Sequence, residues 1–343
     1  MQKRGLSRFV RLNRIRSSEI GRRAAIISVM SSRTTHFADR LVAAIKAKGA
    51  PICVGLDPRL AQIPDFIKSA HIKEKGRSFE AAADAILEFN KGIIDAVFDL
   101  VPAVKPQFAF YLQYGFAGVF AFEETCKYAH EKGLIVIADA KCNDIGSTAE
   151  AYAQAFLGEV DLFGAKVAPM DCDALTVNPY LGCDGIKPFI EVCKNRGKGV
   201  FILVKTSNPS SGDLQDRVTV ASEGGLRNCE LIAQLVESWG ADEIGESGYG
   251  SVGAVVGATY PAEAARLRKF MPHTYFLVPG FGAQGGKAKD VKACFNKDGF
   301  GALINSSRDI IFAWQREGDE RSFGACARAA VIKMKQELSH HST

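Results

Sequence analysis

Short apolar segments alternate with longer amphipathic segments along the chain from residue 36 onward. The apolar segments are rich in β-branched residues and predict eight strands, at residues 51–57, 103–110, 134–141, 173–179, 199–207, 253–259, 275–280 and 301–307. Runs as continuously apolar as these are typical of parallel strands that are buried on both faces. Residues 79–100 and 228–240 carry apolar side chains at three-and-four spacing, which predicts helices.

The order of the predicted elements indicates the fold. Eight strands that alternate with helices, without a polar linker between them, predict an α/β protein with a single (β/α)8 TIM barrel at residues 36–343. A doubly wound sheet is the alternative, although the glycine pattern of dinucleotide-binding folds does not follow the first strand. The stretch STAE at residues 147–150 predicts a capping box, with Ser147 as N-cap and Glu150 at the third helical position.

Polar side chains recur where the predicted strands end, which is where the active site of such a barrel lies. They are Asp57, Lys105, Asp139, Lys141, Asn178, Lys205 and Ser207. Asp139 and Lys141 are two positions apart, so on a strand they share a face at a spacing of roughly 6.6 Å. Alternating charges keep one another ionised, and they suit a reaction in which negative charge leaves one position while a proton is delivered beside it. A structural salt bridge explains this pair equally well.

Two turns after the seventh and eighth predicted strands indicate a phosphate site. They are VPGFGAQGG at residues 278–286 and INSSRDI at residues 304–310. Phosphate commonly binds these two loops of a (β/α)8 barrel, where glycines let backbone N–H groups approach and Arg308 can make a forked contact. The polar stretch at residues 207–216 is either an ordinary surface loop or a lid that closes over a substrate.

Composition excludes several other classes of protein. Nine cysteines are scattered through the chain without a C-x-x-C pair, which favours free thiols in a reducing, cytoplasmic compartment and argues against a structural zinc site. The six histidines form no ligand pair at helical spacing, so we expect no metal centre. Apolar stretches of membrane-spanning length are absent from the sequence, so we expect no membrane partner.

The basic character of the chain belongs to its amino-terminal region. Residues 1–30 carry a net charge of +7, which leaves −2 for the remainder of a chain whose total is +5. The barrel region therefore lacks the charge of a nucleic-acid-binding protein. Residues 1–35 resemble a transit peptide in being rich in arginine and poor in acids. We favour a disordered extension, or a start placed upstream of a true start at Met30.

The motifs at the ends of the predicted strands resemble those of a known family. The stretch DAKCNDIGST at residues 139–148, with Lys105 at the end of the preceding strand, is similar to the signature of orotidine 5′-phosphate decarboxylases. The resemblance extends from about Phe37 to the last helix and includes CVGLDP, KPQFAFY, TVNPYLG, LVKTSNP, VPGFGAQGG and INSSRDI. The phosphate loop P-G-x-G-A-Q is similar to that of the longer subgroup of this family.

The resemblance implies an activity and a set of catalytic residues. It implies a cofactor-free homodimer that decarboxylates orotidine 5′-phosphate to UMP, the last step of de novo pyrimidine nucleotide synthesis. Lys141 would donate a proton to C6 of the pyrimidine. Asp139 would lie near the substrate carboxylate and hold Lys105 and Lys141 in place. Asp144 would reach the active site of the partner subunit.

The resemblance also implies which residues bind the substrate. Asp57 and Lys105 would contact ribose hydroxyls, and Ser207 would contact the base. The remaining candidates are Thr148 from the partner subunit, Gln284 and Arg308 at the phosphate, and Gln107 as a ribose contact.

Two other functions are compatible with parts of this pattern. Metal-dependent sugar-phosphate decarboxylases and synthases of the same superfamily share D-x-K-x-x-D, but Lys105 disfavours a cation on the second strand. A non-catalytic nucleotide-binding barrel would have no need of Lys141 beside a carboxylate.

Overall fold

A computed structural model describes residues 35–220, 225–282 and 285–339. Within them, eight parallel strands close into a barrel in which each strand pairs with its sequence neighbours and the last pairs with the first. The strands are β1 (Ile52–Leu56), β2 (Ala103–Pro106), β3 (Ile135–Cys142), β4 (Ala174–Val177), β5 (Gly199–Lys205), β6 (Val252–Val256), β7 (Phe276–Val278) and β8 (Ala302–Ser306). This confirms the predicted barrel and rules out the doubly wound sheet. The predicted extension lies almost wholly outside the described residues.

Helices follow the strands and cover the outside of the barrel. The longer ones are α1 (Phe37–Lys48), α2 (Asp65–Lys75), α3 (Phe79–Val97), α4 (Gly115–Glu131), α5 (Gly146–Phe156), α6 (Cys183–Arg196), α7 (Asn228–Trp239), α8 (Pro261–Phe270) and α9 (Phe323–Ser339). Single helical turns connect them at Leu60–Gln62, Ala109–Leu112, Pro209–Ser211, Gly212–Gln215, Ala288–Val291, Lys292–Cys294, Arg308–Ile311, Trp314–Glu317 and Glu320–Ser322. None of the helices in this part of the chain is long and apolar enough to cross a membrane.

The lower half of the barrel interior is a closed apolar core. Alternate strand residues such as Cys53, Ile137 and Leu303 pack there together with α1. Phe37 of α1 meets Phe201 edge to face at 6.0 Å. A Cβ at Gly199 would lie 2.3 Å from the Phe37 ring, so glycine is needed at that position. Because this end is filled, only the carboxyl end of the strands is available for a site.

Two hairpins extend from the barrel. One pairs Val160–Leu162 with Ala165–Val167, and the other pairs Val218–Thr219 with Leu226–Arg227. The predicted strand at 103–110 is shorter in the structure, because β2 ends at Pro106 and a helical turn follows.

The predicted capping box at residues 147–150 is wrong. Helix α5 begins earlier, at Gly146, and its N-cap position is Ile145, which provides no side-chain cap. The Asp144 carboxylate accepts a hydrogen bond from the Ile145 N–H at 2.9 Å instead. Ser147 therefore lies inside the first helical turn rather than ahead of it.

Candidate active site

A cavity of about 510 Å³ opens at the carboxyl end of the barrel. All eight strands or the turns that follow them contribute to its lining. The lining polar residues are Asp57, Lys105, Gln107, Asp139, Lys141, Thr176, Thr206, Ser207, Asn208, Gln215, Asn305, Ser307 and Arg308. The structure therefore brings together Asp57, Lys105, Gln107, Asp139, Lys141, Ser207 and Arg308, which sequence reasoning selected.

The floor of the cavity holds a carboxylate between two ammonium groups. Lys105 Nζ lies 2.6 Å from Asp139 Oδ2, and Lys141 Nζ lies 2.6 Å from Asp139 Oδ1. The Lys105 and Asp139 side chains are buried, whereas 44% of the Lys141 side chain is exposed. Each carboxylate oxygen thus has its own lysine, and only Lys141 presents an ammonium group toward the open cavity.

Burial and charge oppose each other in this array, and charge prevails. Burial alone would raise the pKa of Asp139, but the positive charges of Lys105 and Lys141 hold that pKa well below its usual range. Burial alone would lower the pKa of Lys105, but the Asp139 and Asp57 carboxylates raise it above its usual range. Asp139 is therefore an anion and Lys105 a cation throughout the neutral pH range.

Thr176 of β4 joins this array, although sequence reasoning missed it. Its hydroxyl donates to Asp139 Oδ1 at 2.9 Å and accepts from the backbone N–H of Lys141 at 3.0 Å. Lys141 has φ 51°, and the pairing of β3 with β4 shifts register between Ala138 and Cys142. A left-handed backbone at a lysine costs of order 1–3 kcal/mol and persists only where its surroundings enforce it. The Thr176 contact is one such constraint.

Two buried acceptors on neighbouring strands have no donor. Asp57 Oδ1, after β1, and Asn305 Oδ1, on β8, have no hydrogen-bond partner among the described residues. A Cβ at Gly55 would lie 1.9 Å from Ser307 Oγ and 3.3 Å from Asn305 Oδ1, so glycine makes room for this group. Because unpartnered buried acceptors are costly, a donor is expected from a bound molecule. Sequence reasoning selected Asp57 and missed Asn305.

The turns after β7 and β8 form one wall of the cavity. Gly280 and Gly282 have φ 97° and 77°, conformations that favour glycine. Arg308 begins the helical turn after β8 and lines the cavity. The neighbouring Asp309 carboxylate pairs with Arg316, and Arg308 forms no ion pair within the described residues, so its guanidinium is available to an anion. Gln284 lies outside the described residues.

Other predicted residues lie away from the cavity. Asp144 accepts from its own neighbour Ile145, and Thr148 is exposed on the first turn of α5, so neither lines the cavity of its own chain. Asn178 accepts from the N–H of Tyr180. Lys205 is buried beside the cavity, where it is paired with Asp216.

The stretch at residues 207–216 borders the cavity. Ser207, Asn208 and Gln215 line it, and two short helical turns lie between them. No group of three or more His, Cys, Asp or Glu side chains that could hold a metal ion is present within residues 35–220, 225–282 and 285–339.

Comparison with known proteins places this geometry in context. Residues 50–318 match the model of the orotidine 5′-phosphate decarboxylase / HUMPS family. The chain is 49% identical to an orotidine 5′-phosphate decarboxylase of Rhodopirellula baltica over 307 residues, which cover 88% of this chain and 98% of that protein. A protein of the same name from Caldicellulosiruptor saccharolyticus is 45% identical over 281 residues, covering 82% and 90%. The solved structure of Leishmania donovani OMP decarboxylase matches with a TM-score of 0.67 at 30% identity, covering 90% of this chain and 99% of that one.

Proposed function

Because the chain belongs to the orotidine 5′-phosphate decarboxylase / HUMPS family, we propose that it decarboxylates orotidine 5′-phosphate to UMP in pyrimidine synthesis, without a metal or cofactor. The observation that carries this proposal is the array of Lys105, Asp139 and Lys141 on the cavity floor. It combines a carboxylate held as an anion with an ammonium group that faces the cavity.

The reaction breaks the bond between C6 and the carboxylate. Carbon dioxide leaves, and the electron pair that remains on C6 takes a proton from Lys141 Nζ. No adjacent carbonyl delocalises this pair well, so stabilisation must come from fixed charges that favour the developing anion over the starting carboxylate. The Lys141 ammonium is such a charge, and its partial exposure gives solvent a route to restore its proton.

Asp139 and Lys105 hold the charged groups of the array in fixed positions. Asp139 holds the Lys141 ammonium at one oxygen and the Lys105 ammonium at the other, so neither lysine needs to reorganise during the reaction. In this proposal the carboxylate of the substrate lies near Asp139, and loss of carbon dioxide removes the proximity of two negative charges.

The rest of the cavity binds the nucleotide. Asp57 and Lys105 contact ribose hydroxyls, with Gln107 as a further ribose contact, and the unpartnered Asp57 Oδ1 supports this role. Ser207 contacts the base. Arg308 and Gln284 bind the phosphate, which lies remote from C6 and supplies binding energy for assembly of the site.

We also propose a homodimer with shared active sites. Asp144 and Thr148 follow β3 directly but lie outside the cavity of their own chain. Placed at a neighbouring cavity, Asp144 would add a second carboxylate to the charge array, and Thr148 would contact the substrate.

Turnover separates this function from its alternatives. A metal-dependent relative would need a cation beside Asp139, where the Lys105 ammonium lies 2.6 Å from the carboxylate. We expect purified protein in EDTA to lower the absorbance of orotidine 5′-phosphate. The rate of this decrease should be the same after addition of Mg²⁺. Dependence on Mg²⁺ would favour the metal-dependent class, and UMP binding without turnover would favour a non-catalytic barrel.

A further inference from the structure

Lys205 is a buried cation that the proposed mechanism does not use. It is the last residue of β5, and its side chain is fully buried. Its ammonium lies 2.6 Å from Asp216 Oδ1 and 4.5 Å from the centre of the Tyr260 ring. A buried ammonium is stable only when it is paired, so the position of Lys205 dictates where Asp216 must lie.

Asp216 ends the stretch that borders the cavity, and its neighbour Gln215 holds the start of that stretch. Gln215 Oε1 accepts from the backbone N–H of Thr206 at 3.0 Å, and Gln215 Nε2 donates to Thr206 Oγ1 at 2.8 Å. Residues 206 and 215 are thereby joined by two hydrogen bonds from one side chain. Ser207, the proposed base contact, follows Thr206 directly.

The outer end of the stretch is fixed separately. The Asn228 side chain, at the start of α7, donates to the carbonyl of Leu214 at 2.8 Å. The backbone N–H of Asn228 donates to the carbonyl of Arg217 at 2.8 Å. Asp216 thus lies between two backbone carbonyls that are bonded to Asn228, and it follows Gln215 of the cavity wall.

We propose that Lys205 and Asp216 are positioning residues that set the location of Ser207, and with it the affinity of the site for a pyrimidine base. This inference rests on the proposed function, because it assigns the base to Ser207. Neither side chain lines the cavity. They act through Gln215 and Thr206, which line the cavity after β5, whereas Lys105, Asp139 and Lys141 lie on β2 and β3.

A matched pair of ligands isolates the base. UMP and ribose 5-phosphate share the sugar and the phosphate, and only UMP carries a pyrimidine. We expect Lys205→Met to weaken UMP binding about tenfold, the value of one well-placed hydrogen bond. Ribose 5-phosphate should bind with unchanged affinity, because Asp57 and Arg308 are not displaced. With orotidine 5′-phosphate, KM should rise more than kcat falls.

A second buried lysine provides the control. The Lys198 side chain is 10% exposed, and its ammonium lies 2.8 Å from the Asp171 carboxylate, which is 53% exposed. The pair therefore resembles that of Lys205 and Asp216, in which the lysine is fully buried and the aspartate is 37% exposed. Lys198 precedes β5, at the opposite end of the barrel from the cavity. Lys198→Met should lower stability to a similar degree and leave both affinities unchanged.

Asp216→Ala and Asp216→Asn are the further variants. Asp216→Asn keeps an acceptor for the buried Lys205 ammonium, so it should fold even if Lys205→Met does not. Asp216→Ala should reproduce the selective loss of UMP affinity, and Asp216→Asn, which keeps an acceptor for Lys205, should restore part of it. Equal losses for UMP and ribose 5-phosphate, or UMP affinity like that of Lys198→Met, would overturn the inference. If the wild-type protein neither binds UMP nor consumes orotidine 5′-phosphate, the proposed function itself fails.

Discussion

Lys105 Nζ lies 2.6 Å from Asp139 Oδ2, and both side chains are buried beneath the cavity. The two residues come from adjacent strands, β2 and β3. A pair of this kind is costly to break, because removal of one member leaves the other charged and buried.

Asp139→Asn should reduce both stability and turnover. Loss of one partner of a buried ion pair costs about 3–5 kcal/mol, which denaturant unfolding will measure. Turnover should fall by at least about a hundredfold, because the fixed charge of the array is lost. The double variant Asp139→Asn with Lys105→Met should regain stability relative to the single variant and stay inactive. A single variant as stable as the wild type would contradict this account of the pair.

The acid dependence of stability should reveal the low pKa of Asp139. A carboxyl group whose pKa is lower in the folded state contributes stability above the pKa of the unfolded chain, about 3.9, and loses it as pH falls toward the folded value. The gap in free energy of unfolding between wild type and Asp139→Asn should be constant from about pH 5 to 8 and narrow below about pH 4. The raised pKa of Lys105 places its own loss above about pH 10, outside this window. If the difference in free energy of unfolding between the two proteins already narrows near pH 6, the low pKa assigned to Asp139 is wrong.

Thr176→Val should lower kcat with little effect on UMP affinity. The change keeps the shape of the side chain but removes a donor to Asp139 and an acceptor for the Lys141 N–H, at a cost of about 1–3 kcal/mol in stability. Thr176→Ser keeps the hydroxyl and should retain most of the activity. Equal kcat values for the valine and serine variants would mean that the hydroxyl has no role in the array.

Arg308→Ala should weaken phosphate binding. Loss of a charged hydrogen bond of about 1.5–3 kcal/mol corresponds to a rise in KM of roughly 10- to 150-fold. Uridine, which has no phosphate, should bind both proteins equally. Arg316→Ala is the matched control, because Arg316 pairs with Asp309 and lies outside the cavity. An equal effect of the two variants on KM would argue against a phosphate contact at Arg308.

Mixing two inactive variants tests the shared site. Lys141→Ala lacks the proton donor, and Asp144→Ala lacks the residue proposed to reach the partner. Random pairing of subunits in a two-fold dimer should restore about a quarter of the wild-type activity, since one of the two sites in each mixed dimer is intact. Activity that stays at the level of the separate variants would count against shared sites.

The sequence predicts the barrel and much of the site because both depend on local patterns. Continuous apolar runs mark buried parallel strands, and the carboxyl ends of such strands meet in a barrel. Lys105, Asp139 and Lys141 end their runs with charges, so their proximity follows from topology. The spacing of Asp139 and Lys141 on one strand gives the shared face directly.

Thr176 and Asn305 could not be found in this way. Each is a small polar residue at the end of an apolar run, a position that many structural residues also occupy. Each is defined by a contact with an adjacent strand of the barrel. Thr176 contacts Asp139 on β3, and Asn305 lies next to Gly55 on β1. Only the closed register of the barrel supplies those neighbours.

Two other features depended on contacts that the sequence does not display. The helix start near Ser147 was misplaced because the Asp144 side chain binds the Ile145 N–H and the helix begins at Gly146. Lys205 ends its strand like the other charged residues, yet its side chain pairs with Asp216 instead of lining the cavity. The pairing of β5 with β6 shifts register next to Lys205, between Val255 and Val256.

The most direct test of the central claim compares wild type with Lys141→Ala in EDTA. Decarboxylation of orotidine 5′-phosphate is followed by absorbance and by the carbon dioxide and UMP formed, and UMP affinity is measured on the same preparations. We predict that the wild type forms carbon dioxide and UMP in equal amounts, and that Lys141→Ala binds UMP but shows no turnover. Wild-type protein that binds UMP without turnover, or a Lys141→Ala variant that decarboxylates at the wild-type rate, would contradict the proposal.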